Sequence, residues 1–178
     1  MHKDIEKILF TQEFIEEKIK NCAHWINQNY CKSDDLILVG LLKGSIPFLA
    51  QLIKSVEVDH SLDFMTVSSY HGGIKSTGKV KIIMDLAQTI EGKDVIIVED
   101  IIDSGITLQE VIKILSIRNP KSLRILTLMD KPSKRIVDLK PDYAGFEVPD
   151  AFLVGFGLDY KEKLRNLPYI GIYKQRGE

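Results

Sequence analysis

One stretch constrains the fold of this chain more than any other: Val95-Ile96-Ile97-Val98-Glu99-Asp100-Ile101-Ile102-Asp103-Ser104-Gly105-Ile106-Thr107. An apolar strand, Val95–Val98, runs into two adjacent carboxylates. Two apolar residues follow, then a third carboxylate that opens a Ser-Gly-x-Thr turn. Beyond the turn, Leu108, Val111, Ile112 and Leu115 repeat at helical spacing, which predicts an amphipathic helix over 106–117. A strand, a small-residue turn and a helix N-terminus make an anion site, because the first-turn N–H groups have no intrahelical partners. Gly105 allows close backbone approach, and Ser104 and Thr107 add hydroxyl donors. Three carboxylates beside such a site suit a ligand that carries hydroxyls or a metal as well as phosphate.

The rest of the chain extends this pattern. Helices are predicted over 11–30 and 46–53, and strands over 36–42, 62–70, 80–84 and 123–129. Leu36–Leu42 is continuously apolar, as a strand buried on both faces requires. His71–Lys79 is rich in Gly, Ser, Thr and Lys and has no apolar period, so it reads as a mobile loop. Alternating strands and helices predict an α/β fold, a parallel sheet with helices on both faces. The tail differs: 143–148, 152–156 and 169–173 are short strand-like pieces separated by Pro and Gly. One domain over 1–178 is expected, with the N- and C-terminal pieces forming a small cap over the sheet's carboxyl edge. Open α/β sheets bind ligands at that edge. The loops after Leu41, Val98 and Met129 all leave strand ends there.

Composition narrows the function. With 24 basic and 25 acidic residues the net charge is −1, which gives no argument for a nucleic-acid or membrane surface. Cys22 and Cys31 form no metal-type cluster and read as reduced thiols. The N-terminus, Met1-His2-Lys3-Asp4, lacks a secretory apolar core, and no apolar run is long enough for a bilayer. A soluble cytoplasmic protein is expected. Two near-motifs fail. Gly73-x-x-x-x-Gly78-Lys79 has Val80 where a P-loop needs Ser or Thr, and Gly155-x-Gly157 has Tyr160 where a dinucleotide fingerprint needs its third glycine.

Further motifs recur along the chain: Leu41-Leu42-Lys43-Gly44-Ser45, Ser68-Ser69-Tyr70, Asp130-Lys131-Pro132, the run Pro149–Phe156, and Leu158-Asp159-Tyr160. Together with Glu99–Thr107, and in this order, they resemble the purine phosphoribosyltransferases of the hypoxanthine–guanine type. The resemblance covers nearly the whole chain. It implies the type I phosphoribosyltransferase fold with its small hood. It also implies transfer of the 5-phosphoribosyl group of phosphoribosyl diphosphate (PRPP) to hypoxanthine or guanine, with magnesium as cofactor. Assembly into homodimers or tetramers is implied too.

By resemblance, Asp103, Ser104, Gly105, Ile106 and Thr107 hold the 5′-phosphate. Many relatives carry a basic residue at the position of Ile106. Glu99 and Asp100 serve the ribose hydroxyls, with magnesium nearby. Asp103 handles the proton on the purine imidazole ring near N7. Leu42, Lys43 and Gly44 bind pyrophosphate, often across a cis peptide between the first two, and Arg165 joins them. Ser69 and Tyr70 lead a lid that excludes water from a centre of oxocarbenium character. Lys131 donates to the exocyclic O6, Phe152 stacks on the base, and the backbone of Leu153 and Asp159 meets its other edge. Asp159 also serves a second magnesium.

Plainer readings stand beside these. Asp103 is then an N-cap, Asp100 a helix-dipole partner, Phe152 a core residue, and Lys43, Lys131 and Arg165 solvated. Rival functions are a regulator that senses PRPP or a nucleotide without catalysis, a nucleotide kinase, and a phosphoacceptor receiver domain. Intact Asp103, Lys131 and Phe152 argue against the first. The failed P-loop argues against the second, and the glycine turn after Asp103 against the third.

Overall fold

A computed structural model of the protein describes residues 1–69 and 80–174. In chain order the elements are β1 (Ile5–Phe10), α1 (Gln12–Tyr30), β2 (Leu36–Leu41), α2 (Ile46–Leu52), β3 (His60–Ser69) and β4 (Val80–Met84). There follow β5 (Asp94–Ile102), α3 (Ile106–Ser116), β6 (Ser122–Asp130), β7 (Tyr143–Glu147), β8 (Leu153–Val154) and β9 (Ile170–Tyr173).

Six strands form the main sheet in the order β4-β3-β2-β5-β6-β7. β3, β2, β5, β6 and β7 are mutually parallel, and β4 runs antiparallel to β3 at the edge. The sheet is therefore mixed, with a parallel core. Tyr143–Glu147, expected among the tail pieces, is the strand that extends the sheet beyond β6. β2 and Val95–Val98 of β5 are buried throughout, the consequence of helices on both faces. Ile96 and Val98 pack with α1 and α2, whereas Val95 and Ile97 pack with α3. Alternation along these central strands thus builds two cores, one on each face.

Each helix follows its sequence stripe. Thr11 caps α1 by accepting the Phe14 N–H at 3.3 Å, and Ile15, Ile19, Cys22, Ala23 and Ile26 are buried along one face. Burial pushes the Cys22 thiol up to about 12, so it behaves as a small apolar group.

A second sheet, β1-β9-β8, joins the two ends of the chain as the expected cap. β1 was not expected as a strand, because Ile5-Glu6-Lys7-Ile8-Leu9-Phe10 lacks clean alternation. Its pairing with β9 is irregular to match, with register shifts between Ile5 and Lys7 and between Ile8 and Phe10.

Candidate active site

β5 reaches further than its apolar run. It pairs with β6 through Glu99↔Thr127, Ile101↔Met129 and Ile102↔Asp130, so Glu99 and Asp100 are strand residues. The alternation of faces slips here: Ile101 packs with Ile96 and Val98 on one core, and Ile102 with Val95 and Ile97 on the other. Burial, then the Asp100 charge, pushes the Glu99 carboxyl well above the usual carboxylate range. Burial pushes Asp100 up to about 6, against the opposing pull of its backbone hydrogen bonds and the Arg165 charge. Two desolvated neighbouring carboxylates are costly unless a ligand's hydroxyls or a cation meets them.

The anion turn follows at once. Gly105 lies at φ +79 and caps α3, and its side-chain-free Cα faces Val137 and Arg135, where an added Cβ would fall 2.9 Å from Val137 Cγ2. Asp103 is therefore not the N-cap. Its side chain is about half exposed. Ser104 Oγ accepts the Ile106 N–H at 3.4 Å, and Ile106 and Thr107 form the first turn of α3.

The pyrophosphate candidates come from the β2–α2 turn. The Leu42–Lys43 peptide is cis. Gly44 lies against the strand-end acids, where a Cβ would fall 1.8 Å from Asp100 Oδ2. Gly157 (φ +96) packs on the other side, and a Cβ there would fall 2.1 Å from Gly44 O. Two loops and the end of β5, far apart in sequence, thus touch at this point. Arg165 closes the corner: Nη1 donates to Gly157 O at 2.7 Å, and Nη2 pairs with Asp159 Oδ1 at 2.8 Å and Glu162 Oε1 at 3.3 Å. Its Nε is buried with no hydrogen-bond partner among the described residues. Lys43 pairs with Glu162 Oε2 at 2.8 Å, and this ammonium holds the Glu162 carboxyl below the usual range.

The purine candidates lie at the end of β6 and in and around β8. Lys131 is only 6% exposed, so it is not a solvated lysine. Its N–H donates to Ile102 O at 3.0 Å. Its Nζ donates to Ala151 O at 3.1 Å and stands 3.7 Å from Asp103 Oδ2. Phe152 is 46% exposed, which removes it from the core. Tyr160 and Tyr173 stack on each other at 4.1 Å, and each stands 5.9 Å from the Phe152 ring. Leu153 is buried in β8, and Asp159 Oδ2 accepts the Glu162 N–H at 2.8 Å. Tyr70 lies outside the described residues. Ser69 is described only through its backbone, paired with Val80.

Sequence reasoning missed Arg135. Its Nε donates to Asp103 O at 3.0 Å and its Nη2 to Ile102 O at 3.3 Å, and it also binds Leu139 O and the Asp130 carboxylate. Ile136 N donates to Ser104 O at 3.0 Å. The segment after β6 thus clamps the anion turn from behind. Nothing in Lys131-Pro132-Ser133-Lys134-Arg135 distinguishes this buried arginine from the exposed Lys134 beside it.

The model of the phosphoribosyl transferase domain matches residues 7–161. This chain belongs to that family. Among family members, the hypoxanthine-guanine phosphoribosyltransferase of Bacillus subtilis is 50% identical over 174 residues, 98% of this chain and 96% of its own. The crystal structure of a Staphylococcus aureus hypoxanthine phosphoribosyltransferase superposes with a TM-score of 0.94 at 48% identity, covering 98% of this chain and 94% of that one. A Trypanosoma cruzi hypoxanthine phosphoribosyl transferase, solved to study how its C-terminal region affects oligomeric state and enzymatic activity, gives 0.92 at 37% identity, with 97% and 93% covered. The type I phosphoribosyltransferase fold, with its hood, therefore stands.

Proposed function

We propose that this chain transfers the 5-phosphoribosyl group of PRPP to N9 of hypoxanthine or guanine, giving the purine nucleoside monophosphate and pyrophosphate. The observation that carries the base specificity is Lys131, a buried ammonium 3.7 Å from the Asp103 carboxylate, with the exposed Phe152 ring following Ala151, its other partner. A donor aimed at a 6-oxo group and a carboxylate near N7 suit one edge of a 6-oxopurine. Adenine offers no acceptor at that position, and leaving a buried donor unmatched is costly.

The N–H groups and hydroxyls of Ser104–Thr107 hold the 5′-phosphate, and Asp100 and Glu99 accept hydrogen bonds from the ribose hydroxyls. Leu42, Lys43, Gly44 and Arg165 receive the diphosphate. The bond from C1′ to the diphosphate oxygen breaks as the bond from N9 to C1′ forms. Asp103 takes or shares the proton that the imidazole ring must lose. Arg135 fixes the carbonyls of Ile102 and Asp103 and so positions this turn.

Glu99, Asp100 and Asp159 offer hard carboxylate oxygens, as magnesium prefers, and a cation relieves the desolvation of the first two, while Asp159 is paired with Arg165 and among the described residues no three such groups stand together ready to hold a metal. Glu99, Asp100 and Asp159 would hold magnesium, which neutralises diphosphate charge when bound. Among the described residues no helix is long and apolar enough to cross a membrane, and we place the enzyme in the cytoplasm. A homodimer or tetramer is supported by exposed Ile46, Leu62 and Ile83, and light scattering tests it.

The deciding assay offers PRPP and magnesium with hypoxanthine, guanine, xanthine or adenine separately, read spectrophotometrically. Turnover with the 6-oxopurines and none with adenine is expected. PRPP binding without turnover of any base would make the chain a regulator, and no PRPP binding would sink the anion-site reading.

A further inference from the structure

We propose that Glu162 is a built-in stand-in for pyrophosphate: its carboxylate bridges Lys43 and Arg165 in the ligand-free chain and is displaced when the diphosphate binds. The proposal rests on the reading of Lys43 and Arg165 as pyrophosphate cations, and adds a residue that reading does not contain.

The geometry is that of an anion seated between two cations from different loops. Glu162 Oε2 lies 2.8 Å from Lys43 Nζ, across 119 positions of sequence, and Oε1 lies 3.3 Å from Arg165 Nη2. The backbone is bent to present it. Lys161 and Glu162 have φ of +48 and +64, a conformation that side chains disfavour. The turn they form is closed by reciprocal Tyr160–Lys163 bonds of 3.0 Å and pinned by the Glu162 N–H on Asp159 Oδ2. Consecutive left-handed residues without glycine persist only where the surroundings enforce them, and such outliers gather at functional sites.

The contacts of Arg165 divide into fixed and exchangeable ones. Gly157 O and Asp159 Oδ1 hold the guanidinium at 2.7 and 2.8 Å, while Glu162 is the longest and most exposed partner. An incoming diphosphate competes for the side chains that Glu162 occupies, and its charge repels the carboxylate. The bridge thus competes with bound pyrophosphate for both cations, which weakens binding and speeds release of the product.

The test is Glu162→Gln, which keeps size and removes charge, with inorganic pyrophosphate binding followed by calorimetry and dissociation by stopped flow. Exposed ion pairs are individually weak, so the dissociation constant is expected to fall about threefold, with a slower off-rate. In a Lys43→Gln background the gain from Glu162→Gln should shrink, because one of its two targets is gone. An unchanged or weaker affinity in the folded Glu162→Gln protein overturns the proposal. Glu162→Ala is the replacement variant if the glutamine form misfolds, with the same two outcomes. Wild type that binds no pyrophosphate overturns the reading of Lys43 and Arg165 themselves, and is told apart by that arm alone.

Discussion

Asp100 and Glu162 are carboxylates within the field of the same guanidinium, Arg165, yet their surroundings push them in opposite directions. Burial lifts Asp100 to about 6, whereas the Lys43 ammonium keeps Glu162 below the usual range. Asp100 stands near the end of a central strand, half-buried under Gly44. Glu162 stands on an exposed two-residue turn of the hood. A partly desolvated charge is expensive until hydroxyls or a cation meet it, so that corner suits such a ligand. A charge in water is cheap to make and cheap to move, so the other corner suits exchange.

The contrast can be broken first at the buried end. Arg135→Met leaves Ile102 O, Asp103 O, Leu139 O and the Asp130 carboxylate without their shared donor. Removing one partner of a buried pair is expected to cost about 3 kcal/mol or more, read as a lower midpoint in urea. Asp103→Asn follows in size: kcat should fall about 100-fold, with the KM for PRPP little changed, in steady-state assays. Unchanged turnover would remove Asp103 from its catalytic role.

The next effect depends on pH. Because folding raises the Asp100 pKa from 3.8 to about 6, the stability tied to its neutral form is full below pH 3.8 and is lost as pH rises through 6. Asp100→Asn, which is permanently neutral, should therefore raise the Tm of the ligand-free protein by about 5 °C at pH 8 and leave it unchanged at pH 3.5. Calorimetric scans at the two pH values check this. The smallest effect sharpens the contrast from the other side: Lys43→Gln breaks an exposed pair and should shift Tm by about 1 °C or less.

Legibility in the sequence followed the same division. Glu99–Thr107 was readable because strand, acids, turn and helix are contiguous, and the hydrogen bonds that shape them are local. Lys131 and Phe152 stand out in the sequence only through motif order, and their burial and exposure remove the plainer readings of both. β1 was illegible because an irregular edge pairing imposes no clean period on Ile5–Phe10. The place of β7 was hidden because a five-residue strand does not reveal which sheet it joins. Arg135 and Glu162 were silent for a different reason. Their roles arise from contacts across 33 and 119 positions, and neither residue's neighbours in sequence mark it.

The parallel ladder between β5 and β6 runs to Ile102↔Asp130, so Asp103 and Lys131 are the next residues to leave two adjacent strands in register. Neighbouring strands stand about 4.8 Å apart. The sheet therefore acts as a pair of calipers, its two tips carrying a carboxylate and an ammonium side by side, 3.7 Å apart. The gauge is set by backbone spacing that no side-chain substitution can alter. A one-residue insertion in either strand would spoil it by turning a tip to the opposite face.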